Sequence, residues 1–432
     1  MTSMRASQRG FSLIESLIAI VVIAFALLSM GALQLNTLRA SGSSTLRTIA
    51  TQQAYDIADR IRANAMALRN GDYAGAAALH ADCFKAAGCT PKQQAEMDLY
   101  LWNDANGQML PGGVGVVCVD STPDDGTPTV TDCSARREDL VGGRSRRKPH
   151  PFRRRRAAVS RRLPILGMPA RERGTTLVEL MVSLVVGLLI VLVVSTMFLA
   201  SKQTNRSQND AAILQETGRY VFTTLGRELR MAGYHDFTAN VAFPSASPAF
   251  SASNDSGLNQ SDEIIVRYYG SDLRDGSGPD GGVVDCRGVA VGATTLASNR
   301  YYVAVDATTG EPALYCEASS AAGAPVVLVT GVESLQILYG EDTDNDGTPN
   351  YYAPAGVANL DRVVSAIVSV VVRGETFTDV DGGLNRFNHF GTAYAPGAVA
   401  PAGDAGAVFD PPDDQRPRRL FRFTIGLRNR IG

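Results

Sequence analysis

Two stretches of this chain share one pattern of polar and apolar positions, RGFSLIESLIAIVVIAFALL from Arg9 and RGTTLVELMVSLVVGLLIVLVV from Arg173. Each has a basic leader ending in Gly, followed by a long apolar run. The run is broken only by a carboxylate at the fifth residue after the Gly, Glu15 in the first copy and Glu179 in the second. Runs of this length are candidates to cross a bilayer. An acid at mid-bilayer costs roughly 2.5 kcal/mol or more, so both Glu residues require a partner.

Downstream of each run the pattern turns amphipathic. Leu46, Ile49, Ile57 and Ile61 recur at helical spacing among Arg47, Asp56, Asp59, Arg60 and Arg62, so the first helix should continue well past the membrane. In the second copy Leu214, Val221, Leu225 and Leu229 share one helical face, and Gly233 after RMA is the expected terminator. Strands are then expected at EIIVRYYG from Glu263, YYVAV from Tyr301, ALYC from Ala313, PVVLVTGV from Pro325, SLQILYG from Ser334, VVSAIVSVVVRG from Val363 and RRLFRFTIGLRNR from Arg418. In the first copy the stem leads to DLYLWNDANGQMLPGG, with Trp102 and a turn at Leu110 to Gly113, and then to a strand-like GVGVVCVD. An ordinary membrane anchor with a juxtamembrane helix would show the same periodicity, and only the leaders separate the two readings.

A secretory signal places its small-residue cleavage site after the apolar region and carries no acid within it. Here the Gly comes first and the acid recurs at matching positions. This arrangement resembles the processing signal of type IV prepilins and type II secretion pseudopilins. The resemblance implies peptidase cleavage after Gly10 and Gly174 and N-methylation of the new first residues, Phe11 and Thr175. It also implies that Glu15 and Glu179 pair with the amino terminus of a neighbouring subunit, which makes a charge in apolar surroundings tolerable. Thr175 departs from the Phe usual in the family. AYDIADRIRAN from Ala54, with the Trp102 region, looks like the PilV-type minor pilins. ELRMAGY, LQILYGEDTDNDG and the basic-aromatic C-terminus resemble the PilW type.

The fold class implied is α+β: two pilin-like units, each with a long membrane-spanning N-terminal helix, the second carrying an antiparallel β-sheet head and the first an incomplete one. The expected boundaries are a leader at 1–10, a PilV-like unit at 11–135, a basic linker at 136–167 expected to be disordered, a second leader at 168–174 and a PilW-like unit at 175–432. The expected role is structural, in type IV pilus assembly, priming or capping the filament, with no enzymatic activity. Alternatives are a type II secretion pseudopilus tip, or an adhesin or nucleic-acid-binding module. The partners implied are other minor pilins, the major pilin, the prepilin peptidase and the inner-membrane assembly platform. The implied location is the inner membrane with periplasmic heads, and the pilus after assembly.

Composition modifies this picture in two places. The net charge of -2 conceals 14 Lys or Arg against three acids between Arg136 and Arg173, a local +11 that leaves -13 for the rest. Clustered guanidinium groups suit phosphate or anionic lipid. The segment has Phe152 as its one aromatic and shows no period, so nucleic acid is not the expected partner. It sits where a pilin sheet should close, and the preferred reading is a join: out-of-frame sequence replacing the end of the first pilin, with Met168 the natural start of the second. Two consecutive spans cannot both run from inside to outside in one uncut chain unless the first head stays in the cytoplasm.

The six cysteines fall in local sets, Cys83 with Cys89, Cys118 with Cys133 and Cys286 with Cys316, compatible with three disulfides in an oxidising compartment. Zinc would need close Cys pairs or nearby His, and His80, His150, His235 and His389 do not supply them. DTDNDG, Asp342 to Gly347, has acids at alternate positions followed by Gly, so Asp342, Asp344 and Asp346 are candidate Ca2+ ligands. The position of the bidentate Glu of such a loop is Ala353, and Asp-Gly-rich turns form without an ion. Calcium and a plain turn both stay open. No nucleophile elbow, P-loop or dinucleotide fingerprint is present.

Overall fold

The computed structural model describes residues 13–118, 177–236, 241–244, 248–319, 324–377, 386–427 and 429. The basic linker, Cys133, Gly10, Phe11, Gly174 and Thr175 lie outside them. Residues 46–118 and 203–432 form one compact unit, and the apolar parts of the two stems, up to Thr45 and up to Lys202, fall in another.

Two long helices dominate the chain, α1 (Leu13–Ala63) and α4 (Leu177–Met231). Between them come α2 (Ala65–Asn70) and α3 (Pro91–Met109). In α1 the predicted face is buried at Ile49 and Ile57. In α4 all four predicted positions, Leu214, Val221, Leu225 and Leu229, are buried, while the upper part of that helix exposes its Leu and Val side chains. That helix is long and apolar enough to cross a membrane. Gly233 ends the stem with φ 76°, and its amide donates to the Arg267 carbonyl 3.0 Å away in the adjoining strand.

Among the described residues the second head contains two larger antiparallel sheets and a two-stranded one. The first runs in order β1 (Phe250–Ser253), β2 (Glu263–Tyr269), β3 (Leu296–Val305), β4 (Pro312–Ala318), β5 (Val326–Thr330). The others are β6 (Val332–Glu341), β7 (Tyr351–Ala353), β8 (Val363–Arg373), β9 (Phe387–Asn388), β10 (Val408–Phe409) and β11 (Arg418–Gly426). The second sheet has the order β11-β8-β6-β7, and β9 pairs with β10. Strands β2 and β3 alternate buried and half-buried residues, as expected of strands with one covered face, whereas β6 is buried throughout and β8 over all but its last residue. The lower half of α4 packs on both sheets through Leu214, Val221, Leu225 and Leu229. Gly218 lets it come close, because a Cβ there would lie 2.6 Å from the Phe421 ring of β11.

The first head differs from its sequence-based expectation. DLYLWNDANGQM, to which the sequence assigned no element, is the body of α3, and the segment from Gly113 to Cys118, expected to be strand-like, forms no strand. The physical reason stands at the start of the helix. Thr90 and Gln93 make a reciprocal capping box, with Pro91 at the first helical position. Trp102 then packs with Ile57, Ala67, Tyr73, Ala95 and Leu99 to form a small core, and its Nε1 donates to the Gln53 carbonyl at 2.8 Å. Gly115 passes over that indole, where a Cβ would fall 2.0 Å from the ring.

Candidate assembly sites

Glu15 lies on α1 and Glu179 on α4, each the fifth residue after its Gly. The structure therefore places both acids on helices, at matching positions of two stems. Their side chains, like the cleavage residues before them, lie outside what is described.

A second site was not read from the sequence. Asp56, Asp59 and Arg60 in α1 looked like charges on a solvated helix face, yet Asp56 and Arg60 are buried. Arg60 Nε donates to Asp56 Oδ2 at 2.8 Å, and its Nη1 donates to Asp98 Oδ1 at 3.3 Å. Asp98 also accepts from the Tyr73 hydroxyl at 2.7 Å and from Gln94 Nε2 at 3.2 Å. Burial pulls the Arg60 pKa down, but Asp56 and Asp98 outweigh it and hold the guanidinium above its ordinary range. At Asp98 burial prevails, and its pKa is raised despite Arg60 and the two hydrogen bonds.

This network reaches across to the second head. Strand β11 is the edge of its sheet, and the Thr424 amide donates to Asp56 Oδ1 at 3.1 Å. Arg422, also in β11, donates from Nη2 to the Leu101 carbonyl of α3 at 3.1 Å. Burial, and then the Arg60 charge, pull its pKa down to about 10. Arg230 of α4 pairs with Asp59 at 3.2 Å. The Cys89 amide donates to the Asn350 carbonyl at 2.8 Å. Apolar contact completes the seam: Phe84 meets Tyr394 edge-on with ring centroids 5.1 Å apart, and Ala393 packs with Cys83, Cys89, Met97 and Leu101. A cavity of about 330 Å³ lies along it, lined by Gln53, Asp56 and Asp104 on one side and Arg386, Arg419 and Arg422 on the other.

The disulfide candidates divide as follows. Cys83 is bonded to Cys89 and Cys286 to Cys316, with Cα separations of 5.0 and 6.5 Å. Cys118 is also disulfide-bonded. The first bridge closes the loop that carries Cys89 onto Asn350, so it shapes the seam between the heads.

The carboxylates of Asp342, Asp344 and Asp346 gather within 4.8 Å of one another. Asp342 is already engaged, accepting from the amides of Asn345 at 2.6 Å and Gly347 at 2.8 Å. Arg362 Nη2 donates to the Thr343 carbonyl at 2.8 Å and approaches Asn345 Oδ1 at 3.4 Å. Asp346 Oδ1 accepts from the Thr348 amide at 2.7 Å, so Asp342 and Asp346 are acceptors that shape a tight turn, while the three carboxylates also face one another.

Residues 300–429 match the family model described as Type IV Pilus-assembly protein W, and residues 5–31 match the prokaryotic N-terminal methylation motif. Both are structural pilin families, and together they support a type IV minor pilin with a PilW unit. No curated protein matches the chain. Among solved structures, a type IV-like pilin from Thermus thermophilus is similar over 49% of this chain and 94% of its own, at 17% identity and a TM-score of 0.29. That superposition carries no argument here. The α+β class rests on the stems and antiparallel sheets themselves.

Proposed function

We propose that this protein is a structural minor-pilin component of type IV pilus assembly that primes or caps the filament. The carrying observation is the repeated signal, a basic leader, a Gly and an apolar helix with Glu at the fifth residue after the Gly, found in two stems. In this reading the peptidase cuts after Gly10 and Gly174, and Phe11 and Thr175 become methylated amino termini. Glu15 and Glu179 neutralise the amino terminus of the next subunit as the stem leaves the inner membrane. The heads lie in the periplasm and pass to the pilus. The partners are the major pilin, other minor pilins, the peptidase and the assembly platform. The chemistry asked of the chain is binding alone: a buried charge is accepted because its partner is a charge of opposite sign.

The test is complementation of a strain deleted for this gene. Glu179→Ala should leave membrane insertion intact, since it removes a costly charge from an apolar run. Piliation counted by electron microscopy should fall about tenfold, as expected for losing an interaction worth roughly 1.4 kcal/mol or more. Normal piliation with Glu179→Ala refutes the role given to this residue. Normal piliation in the deletion strain, with loss of a secreted enzyme from the medium, reassigns the chain to a secretion pseudopilus.

A further inference from the structure

Four arginines, Arg386, Arg418, Arg419 and Arg422, and two acids, Asp56 and Asp104, line the cavity of about 330 Å³. Most of these charges are already matched. Arg386 pairs with Asp410 at 2.9 Å, and Arg418 with Glu333 at 2.6 Å and Asp414 at 2.7 Å. Asp56 is taken by Arg60 at 2.8 Å and by the Thr424 amide. Arg419 and Arg422 are then set against Asp104, whose carboxylate accepts from the neutral Gln108 amide at 2.9 Å. The cavity therefore carries a surplus of one positive charge.

That surplus sits where a charge is costly. Arg422 is 9% exposed, and its guanidinium donates to the Leu101 carbonyl, a neutral acceptor. Burial and the Arg60 charge outweigh the pull of Asp56 and Asp104 on it. Arg419 is half-buried, and burial lowers its pKa too, with no acid acting against it among the described residues. A cation drawn out of water is stabilised by a hydrogen-bonded partner of opposite sign.

The remaining wall decides what kind of anion fits. Met109, Phe387 and Leu420 line it with apolar surface. Its volume lies at the small end of ligand sites, roughly 300–1,000 Å³, which bind through mostly apolar walls and a few placed polar groups. Planar guanidinium groups suit a carboxylate in a bidentate fork. A single carboxylate cancels the surplus, whereas a phosphate dianion would leave a net negative charge beside Asp104.

We propose that this cavity binds a small organic monocarboxylate. Arg419 and Arg422 hold its carboxylate, and Met109, Phe387 and Leu420 receive its apolar body. The site goes beyond the pilin reading and stands or falls separately from it.

The experiment is equilibrium dialysis of labelled benzoate against the full chain purified in detergent, with protein-free micelles as the blank. Saturable binding is expected, with half-saturation at about 1 mM or below. Arg419→Gln and Arg422→Gln should each weaken it about tenfold or more, the effect of losing a hydrogen bond between charged groups. Arg422→Lys keeps the charge without the fork and should lose about threefold. Benzamide, the neutral isostere, should compete about tenfold more weakly than unlabelled benzoate, a discrimination that a merely structural role for these arginines would not produce. A cooperative melt followed by circular dichroism confirms that each variant is folded, and the half-buried Arg419→Gln serves as the test if Arg422→Gln is not. Absence of saturable binding up to about 10 mM benzoate overturns the proposal. So does unchanged binding by folded Arg419→Gln, or displacement of benzoate by inorganic phosphate at lower concentrations than by benzoate itself.

Discussion

Asp56→Ala is the substitution on which the account of the seam depends most. The side chain is buried, with 5% of its surface exposed, and it accepts one hydrogen bond from Arg60 of its own helix and one from the Thr424 amide of β11. Its removal leaves Arg60 with Asp98 alone at 3.3 Å, and Arg60 Nη2 already has no partner. It also leaves the Thr424 amide without an acceptor. Removing one partner of a buried ion pair costs about 3–5 kcal/mol, because a charge is stranded where water does not reach. The orphaned amide adds about 1 kcal/mol or more. A loss of about 4 kcal/mol is a large share of the roughly 5–15 kcal/mol typical of a domain. Trp102 is the one tryptophan of the chain, and it sits in the first head's core with its indole on Gln53, one helical turn before Asp56. Its fluorescence therefore reports this head alone. With a urea dependence of about 2 kcal/mol per M, the midpoint should fall by about 2 M. Asp56→Asn keeps an oxygen for the Thr424 amide and should lose about half as much. A fall below about 0.5 M for Asp56→Ala would place this pair with exposed ones, worth about 1 kcal/mol or less, and refute the buried network.

Further outcomes are expected at four other sites. Burial holds the Asp404 carboxyl up at about 6, against an ordinary value of 3.8, while the Tyr394 hydroxyl donates to it at 2.6 Å. A raised carboxyl contributes stability that is complete below pH 3.8 and is lost as pH rises through 6. The loss is at most about 3 kcal/mol, and Asp404→Asn should flatten that part of a pH series of urea midpoints. His389 acts with the opposite sign. Burial, and then the Arg422 charge, push it down to about 3 from 6.5, so stability falls as the pH drops below 6.5, and His389→Gln should reduce that acid sensitivity in the same series. At the acidic turn, Asp342→Ala should cost about 1–3 kcal/mol by stranding the Asn345 and Gly347 amides. Chelation of the unmodified protein should leave its melting temperature unchanged, and a rise of several degrees on adding Ca2+ would show that the three carboxylates bind it. Substituting Gly174 by a bulky residue should abolish a peptidase-dependent mass loss of the second unit. Unchanged processing would show that cleavage lies elsewhere.

The long elements were legible because their burial imposes a period. All seven strand segments expected in the second head form, since β-branched runs such as VVSAIVSVVV suit a sheet buried on both faces. Strands β1, β7, β9 and β10 run for only two to four residues, too short to show a period, and are held by the sheet around them. In the first head, α3 was announced by Thr90, Pro91 and Gln93, a capping signal that the turn-rich LPGG downstream obscured. The seam was hidden for a different reason. Asp56 and Arg60 at i and i+4 read as an ordinary solvated pair, and local sequence does not reveal that a strand edge some 360 residues later supplies the missing donor. What did point to them was resemblance. Of the segments that carry the resemblance, AYDIADRIRAN, ELRMAGY and the basic-aromatic terminus meet in space. The doubled signal thus describes two stems whose heads are complementary.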